Sequence, residues 1–214
     1  MSDDFADLVP QARAFLTELS ANNNRDWFLT NKKRYEIALK HPALALLDVI
    51  SADLEKMVGA PVSTKLFRPH RDVRFSKDKT PYHTHLHMLW TAGGIGWFLG
   101  IAPGYVSVGA GVFGFDKNAL IRWRDTVAGA DGQAIANMIS ALTDKGTRLD
   151  PPELKRVPAP YDKTHPRGDL LRRKGLALWF DLEDRTIEKG GLTACIRTAF
   201  SELLPVQVAL APLE

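Results

Sequence analysis

Residues 88–115 carry no formal charge. A run of that length is enough, on count alone, to cross a bilayer as one helix or to supply the buried strands of a sheet. It holds eight glycines, and Pro103-Gly104 divides it in the middle. Glycine weakens a helix interior, and a Pro-Gly pair is a turn signal. The run therefore predicts strand, turn, strand, with 96–102 and 105–112 as antiparallel neighbours. No membrane partner is expected.

The flanks read differently. Phe15, Leu16 and Leu19 share one face of a helix predicted over 5–19. Asn23 or Asn24 can cap a second helix over 25–40, which His41-Pro42 should bend or end, because the residue before proline avoids the helical region. A third helix is predicted over 42–58, stopped by Gly59-Ala60-Pro61. Strands follow at 66–75 and 82–90, joined by a polar turn at Lys77-Asp78-Lys79. Beyond residue 115, helices are predicted at 116–128, 132–143, 165–174 and 191–204. A Pro-rich extended stretch covers 149–163, and a strand covers 175–182. Helices, then strands, then helices define an α+β fold: an antiparallel sheet of about five strands covered by helices from both ends of the chain. With 214 residues the chain fits a single domain, helical over 1–60, sheet over 61–115, and helices plus one strand over 116–214.

The net charge of +3 hides a segregation: residues 65–85 carry +4, residues 155–174 carry +5, and the remainder −6. Two basic segments on an otherwise acidic chain point to a local anion site more than to general adhesion to nucleic acid. The lone cysteine, Cys195, lies in an apolar helical pattern and reads as a small buried hydrophobe. A single cysteine suits a reducing, cytoplasmic setting. The acidic start, Met1-Ser2-Asp3-Asp4, lacks the apolar stretch of a secretory signal. Gly109-Ala110-Gly111-Val112-Phe113-Gly114 fits the spacing of a dinucleotide loop. That loop also needs an acid ending a second parallel strand, and Asp131 falls between two helices. Close backbone packing within a strand is the expected role of these glycines.

The chemistry concentrates between Arg68 and Leu86. On a strand, Arg68, His70, Asp72 and Arg74 share one face. Guanidinium forks held in fixed planes suit phosphate or carboxylate. A carboxylate among arginines is a weak base, so Asp72 is expected to orient guanidinium groups. The alternative is a salt-bridge ladder. His83, His85 and His87 share a strand face, a spacing that can present imidazoles to a metal, with Asp72 or His70 as a third ligand.

Arg68-x-x-Arg71-Asp72-x-Arg74-Phe75-x-x-x-Lys79-x-Pro81-Tyr82 resembles the signature of an uncharacterised, mainly bacterial family, domain of unknown function 2461. The segments Asn22-Asn23-Asn24-Arg25-Asp26-Trp27-Phe28 and Asn31-Lys32-Lys33-Arg34-Tyr35 resemble its amino-terminal block. Leu154-Lys155-Arg156-Val157-Pro158, Tyr161-Asp162-Lys163, His165-Pro166 and Leu170-Leu171-Arg172-Arg173-Lys174 resemble its carboxy-terminal block. The resemblance implies a histidine at His85, whereas His83, Leu86 and His87 depart from the pattern, which lowers the metal reading; no metal site is assigned. It supplies no reaction and no cofactor.

The expectation is an Arg/Lys-lined cleft for a small phosphorylated or carboxylated ligand. Arg68, Arg71, Asp72, Arg74, Lys79 and Tyr82 would line it, and Arg156, Lys163, His165, Arg172 and Lys174 would close it from the opposite side. If the site is catalytic, His85 is the acid–base candidate, since an imidazole titrates near neutrality. A nucleic-acid-binding module and a structural salt-bridge network are the alternatives.

Overall fold

The structure, a computed structural model, describes residues 4–211. The acidic start up to residue 3 lies outside them. The chain enters through α1 (Leu8–Ala21) and α2 (Arg25–Tyr35), passes a π-helical turn (Glu36–Lys40), and continues as α3 (His41–Val58). Asn24 caps α2 by accepting from the Trp27 amide. The expected break at His41-Pro42 does not occur: His41 is helical (φ −66°, ψ −46°) and its amide reaches back to Glu36 O. A proline ring clashes with the carbonyl four residues earlier in a regular helix. The wider π turn makes room for it, so the chain stays helical across Pro42, and Leu39 and Leu46 on either side are both buried. Gly59, at φ +70°, terminates α3.

The sheet comprises β1 (Ser63–Leu66), β2 (Leu86–Ala92), β3 (Ile95–Ala102), β4 (Tyr105–Val112), β5 (Arg148–Leu149) and β6 (Leu176–Asp181), in the order β1-β2-β3-β4-β6-β5. Every pairing is antiparallel. The uncharged run supplies β2 to β4. No helix among the described residues is long and apolar enough to cross a membrane. Alternation sends Trp90 and Trp97 to one face, where they meet Phe200 edge-on. Trp90 also donates to Leu47 O of α3. Phe200 belongs to α8 (Leu192–Leu210), which with α3 and α1 packs on the sheet. The buried side chains form one continuous core.

Several predicted boundaries move. The strands expected at 66–75 and 82–90 reduce to β1 and β2, because 67–85 is a loop stitched by a single bridge, His70–Tyr82. Pro69 and Pro81 lack the donors a ladder needs, and Asp72 and Asp78 accept from the Arg74 and Thr80 amides locally instead. α8 runs through Pro205 to Leu210 because Val206 and Leu210 are buried anchors. A short helix, α7 (Asp184–Gly190), has no counterpart among the predicted elements, nor has β5 at the start of the Pro-rich stretch. Only α6 (Gly168–Leu171) remains of the helix predicted over 165–174. α4 (Lys117–Ala128), capped by Asp116, and α5 (Gly132–Asp144) agree with expectation. Cys195 is buried, and its thiol faces Thr186 O at 3.6 Å.

Candidate functional site

The connection from β1 to β2 is closed on itself. Arg71 N donates to Pro81 O (2.9 Å) and His83 N to Pro69 O (2.7 Å) on either side of the His70–Tyr82 bridge. The Arg71 guanidinium bonds Asp78 (2.5 Å), Thr80 O (3.1 Å) and the Thr80 hydroxyl. Arg74 forks onto Asp72, with Nε at 2.9 Å and Nη2 at 2.6 Å. That hydrogen bond, with help from the Arg74 amide, holds the Asp72 carboxyl below its ordinary range. Lys79 Nζ donates to Val73 O at 3.0 Å. Bonds from the Thr80 amide and from Arg71 lower the Asp78 carboxyl to about 2. Most of the motif's cations are therefore committed inside the loop. Arg68 and Lys77 make no side-chain hydrogen bond among the described residues.

Tyr82 does not face solvent. Its ring is 3% exposed and stacks on Phe28, with centroids 4.1 Å apart. Asn23 clamps its backbone from both sides: Asn23 Nδ2 donates to Tyr82 O (2.9 Å), and Tyr82 N donates to Asn23 Oδ1 (3.1 Å). This joins the amino-terminal asparagine block to the central motif, a link no local pattern in the sequence signals.

The three histidines do share a face, as their spacing predicts, but they stack. Ring centroids are 4.7 Å apart for His83–His85 and 3.7 Å for His85–His87. No group of three ligating side chains suited to a metal occurs among the described residues. His87 Nε2 lies 2.9 Å from Tyr105 Oη. Burial, reinforced by neighbouring imidazoles, lowers His85 and His87 to about 4. His85 is thus a neutral imidazole at pH 7, far from the pKa that serves acid–base exchange best.

The folded pKa of this pair lies below the ordinary 6.5, so the unfolded chain takes up protons that the stacked column refuses. Stability is full above about pH 6.5 and falls as pH drops toward 4. Each pKa unit is worth about 1.4 kcal/mol; discounted for partial solvent access, the pair should lose on the order of 2–4 kcal/mol. Urea midpoints measured across this window should show that slope. A His85→Gln/His87→Gln variant should flatten it, and an unchanged slope would refute the assignment.

The second basic segment forms a cleft. The β5–β6 connection folds over α5 and is held by Arg173 Nη1 donating to Asp150 O (2.6 Å) and Leu154 N to Arg172 O (3.0 Å). Arg167 fixes the base by donating to the last carbonyls of α4: Val127 O (2.6 Å), Ala128 O (3.1 Å) and Gly129 O (2.9 Å). His165 Nδ1 accepts from Arg167 N at 3.0 Å, which leaves Nε2 as the protonated nitrogen of the neutral ring. The cleft measures about 680 Å³. Lys155, Arg156, Lys163, His165, Arg167 and Arg172 line it, with Ala136, Ile139 and Val157 as its apolar floor. Its one carboxylate, Asp169, is bound by Arg172. Arg156 and Lys163 are exposed and make no hydrogen bond or ion pair among the described residues.

The two basic segments do not share one hollow. Residues 67–85 leave the β1–β2 edge at the end of the sheet marked by Leu86 and Ile101. Residues 150–175 return at the β5–β6 edge, at the opposite end, marked by Val112 and Leu176. β2 and β6 are three strand spacings apart, about 14 Å, before the length of the strands is counted. Arg68, Arg71, Asp72, Arg74, Lys79, Tyr82 and His85 thus group at one corner. Arg156 and His165 group at the other. Lys174 lies outside the cleft lining; its amide donates to Glu153 at 2.9 Å. Lys163 and Arg172, expected from the sequence, do line the cleft; sequence reading misses Lys155 and Arg167, although the charge count of the segment already holds them.

A family model described as "Conserved hypothetical protein (DUF2461)" matches residues 11–208. No curated protein and no solved structure matches the chain.

Proposed function

Because the chain belongs to the DUF2461 family of conserved hypothetical proteins, whose description names no reaction, we propose from the geometry that it binds a small phosphorylated or carboxylated ligand in the cleft under α5. One observation carries the reading. Of the charged side chains lining about 680 Å³, all but Asp169 are cationic, and Asp169 is already neutralised by Arg172. Arg156 and Lys163 remain for a guest, on a floor that Arg167 keeps rigid. The pocket lies within the usual size range for small-molecule sites. A cytoplasmic setting with its pool of anionic metabolites belongs to the same reading, and the single, buried Cys195 is compatible with it.

For the central motif, the internal bonds of Arg71, Arg74 and Lys79 favour the structural alternative, a salt-bridged loop that holds its own shape. The two roles separate in one experiment. Pyrophosphate and citrate, at ionic strength matched with sodium chloride, should raise the melting temperature. Saturation at a hundred times Kd adds about 2.7 kcal/mol, equivalent to roughly 5–10 °C for a chain of this size. An Arg156→Ala/Lys163→Ala variant should melt like the parent without ligand, because exposed substitutions cost within about 0.5 kcal/mol. It should lose the ligand shift. Arg71→Ala should keep the shift while destabilising the 67–85 loop. A shift that survives in the double variant, or no shift with any polyanion, defeats the proposal.

A further inference from the structure

The sheet face opposite α3 and α8 carries a groove that shares no residue with the polyanion cleft. It encloses about 410 Å³, and no helix residue lines it. Its shape follows from the glycines of the uncharged run. A Cβ at Gly109 would sit 2.4 Å from the Trp179 ring, and one at Gly96 would sit 2.3 Å from Phe98. A Cβ at Gly100 would meet His87 and Tyr105 at 3.2 Å. Aromatic rings thus lie directly on bare backbone and border the groove. Phe98, Phe113 and Trp179 form one wall, with centroid separations of 4.4 to 5.7 Å. Phe67, His87 and Tyr105 also line the groove, with Phe67 edge-on to His87. Phe113 is 62% exposed, and Phe67 and Tyr105 are each 38% exposed. Clustered exposed rings at a groove mark a binding surface rather than a core.

Polar groups sit within the groove at fixed positions. The Tyr105 hydroxyl pairs with His87, and the buried Ser107 hydroxyl donates to Asp181. Arg148, held by Asp181 and Asp150 at 2.9 Å each, lies over the Trp179 ring. One end of the groove is cationic. Lys65 Nζ stands 4.8 Å from the Phe67 ring centroid, and Arg68 follows Phe67 in the chain. The stacked imidazoles of His87, His85 and His83 run from the groove to the loop, where Arg68 and Arg71 act electrostatically on His83.

We propose that this groove and the cationic rim beside it bind a flat heteroaromatic ligand bearing an anionic group, of the nucleoside monophosphate class. The ring lies against the aromatic side chains, and the anion lies toward Lys65 and Arg68. Stacking accepts any planar heterocycle, and hydroxyl and imidazole groups supply hydrogen bonds to its edge. An aliphatic guest would use neither the ring faces nor the rim charge. This groove lies on the open face of the sheet and shares no lining residue with the polyanion cleft, and neither proposal depends on the other.

Trp179 gives the readout, since Trp90, Trp97 and Trp123 are buried away from the groove and Trp27 packs on Phe15 in the helical layer. Adenosine 5′-monophosphate should quench tryptophan fluorescence saturably. Adenosine should bind about tenfold more weakly, and inorganic phosphate alone should not quench. Phe113→Ala and Lys65→Ala/Arg68→Ala replace exposed side chains and should melt like the parent. Each should weaken adenosine monophosphate about tenfold. Arg156→Ala/Lys163→Ala should leave the quench unchanged. The proposal is overturned if adenosine monophosphate does not quench, if Phe113→Ala binds it as well as the parent, or if the Arg156→Ala/Lys163→Ala variant loses it. Binding of a single-stranded oligonucleotide without binding of the mononucleotide would also overturn it, in favour of a nucleic-acid surface.

Discussion

Replacing Tyr82 with alanine should lower the stability of the protein by about 3–5 kcal/mol, the usual cost of deleting a buried aromatic side chain. The ring packs face to face on Phe28 at an interplanar angle of 16°, with His70 4.9 Å away. Phe28 in turn contacts Phe15 and Tyr35, so the central loop is keyed into the aromatic cluster of the first two helices. Burial raises the Tyr35 hydroxyl to about 12, a sign of how dry that cluster is. Equilibrium urea unfolding measures the loss directly. Tyr82→Phe keeps the stack and should cost under about 1.5 kcal/mol. A loss below about 1 kcal/mol for the alanine variant would mean that the ring does not hold the loop. The same variant bears on function. If Tyr82 were a ligand contact, the change would appear in binding with little change in stability; its position predicts the reverse.

Gly111→Ala should be about as damaging, at roughly 3–5 kcal/mol, combining strained backbone with forced overlap. Gly111 has φ +142°, a conformation that side chains rarely adopt. A Cβ there would lie 2.0 Å from Leu176 O and 2.6 Å from Ala177 Cα, both backbone atoms of the paired strand β6. Neither can rotate away, so relief requires parting β4 from β6 within the sheet. Gly104→Ala is the control, because a Cβ there meets nothing within 4 Å. Melting curves of the two variants should differ by several degrees or more. Equal melting would show that the β4–β6 contact yields easily. The close approach of β6 gives the Gly109–Gly114 spacing a packing role, and among the described residues every strand beside β4 is antiparallel, unlike the strand a dinucleotide loop needs.

Much of the architecture is legible in the sequence. Glycine and Pro-Gly placement favours strands in the uncharged run, and β3 and β4 begin and end within a residue of the predicted limits. Asn24 and Asp116 announce two helix starts through their capping oxygens. The departures have a common cause. Pro42 and Pro205 are breakers by local preference, but buried leucines and valines beyond them hold the helix together, and packing outweighs propensity over a few residues. Arg68 to Phe75 alternates like a strand, yet its prolines and acids bond within the loop.

The candidate sites are half legible. Charge counting finds both basic segments, because a cluster of like charges is visible in one dimension. It cannot tell that Arg71, Arg74 and Lys79 commit their donors to near neighbours, while Arg156 and Lys163 keep theirs. Nor can it bring Phe67, Tyr105 and Trp179 into one groove, since each stands alone in its own stretch. Local chemistry along the chain settles the element types, the antiparallel order of the central strands and the buried face, because turn geometry and side-chain alternation act over a few residues. Strand order across the sheet decides which cations meet and which stay apart, because that depends on contacts between segments far apart in the chain, and no short-range preference carries such information.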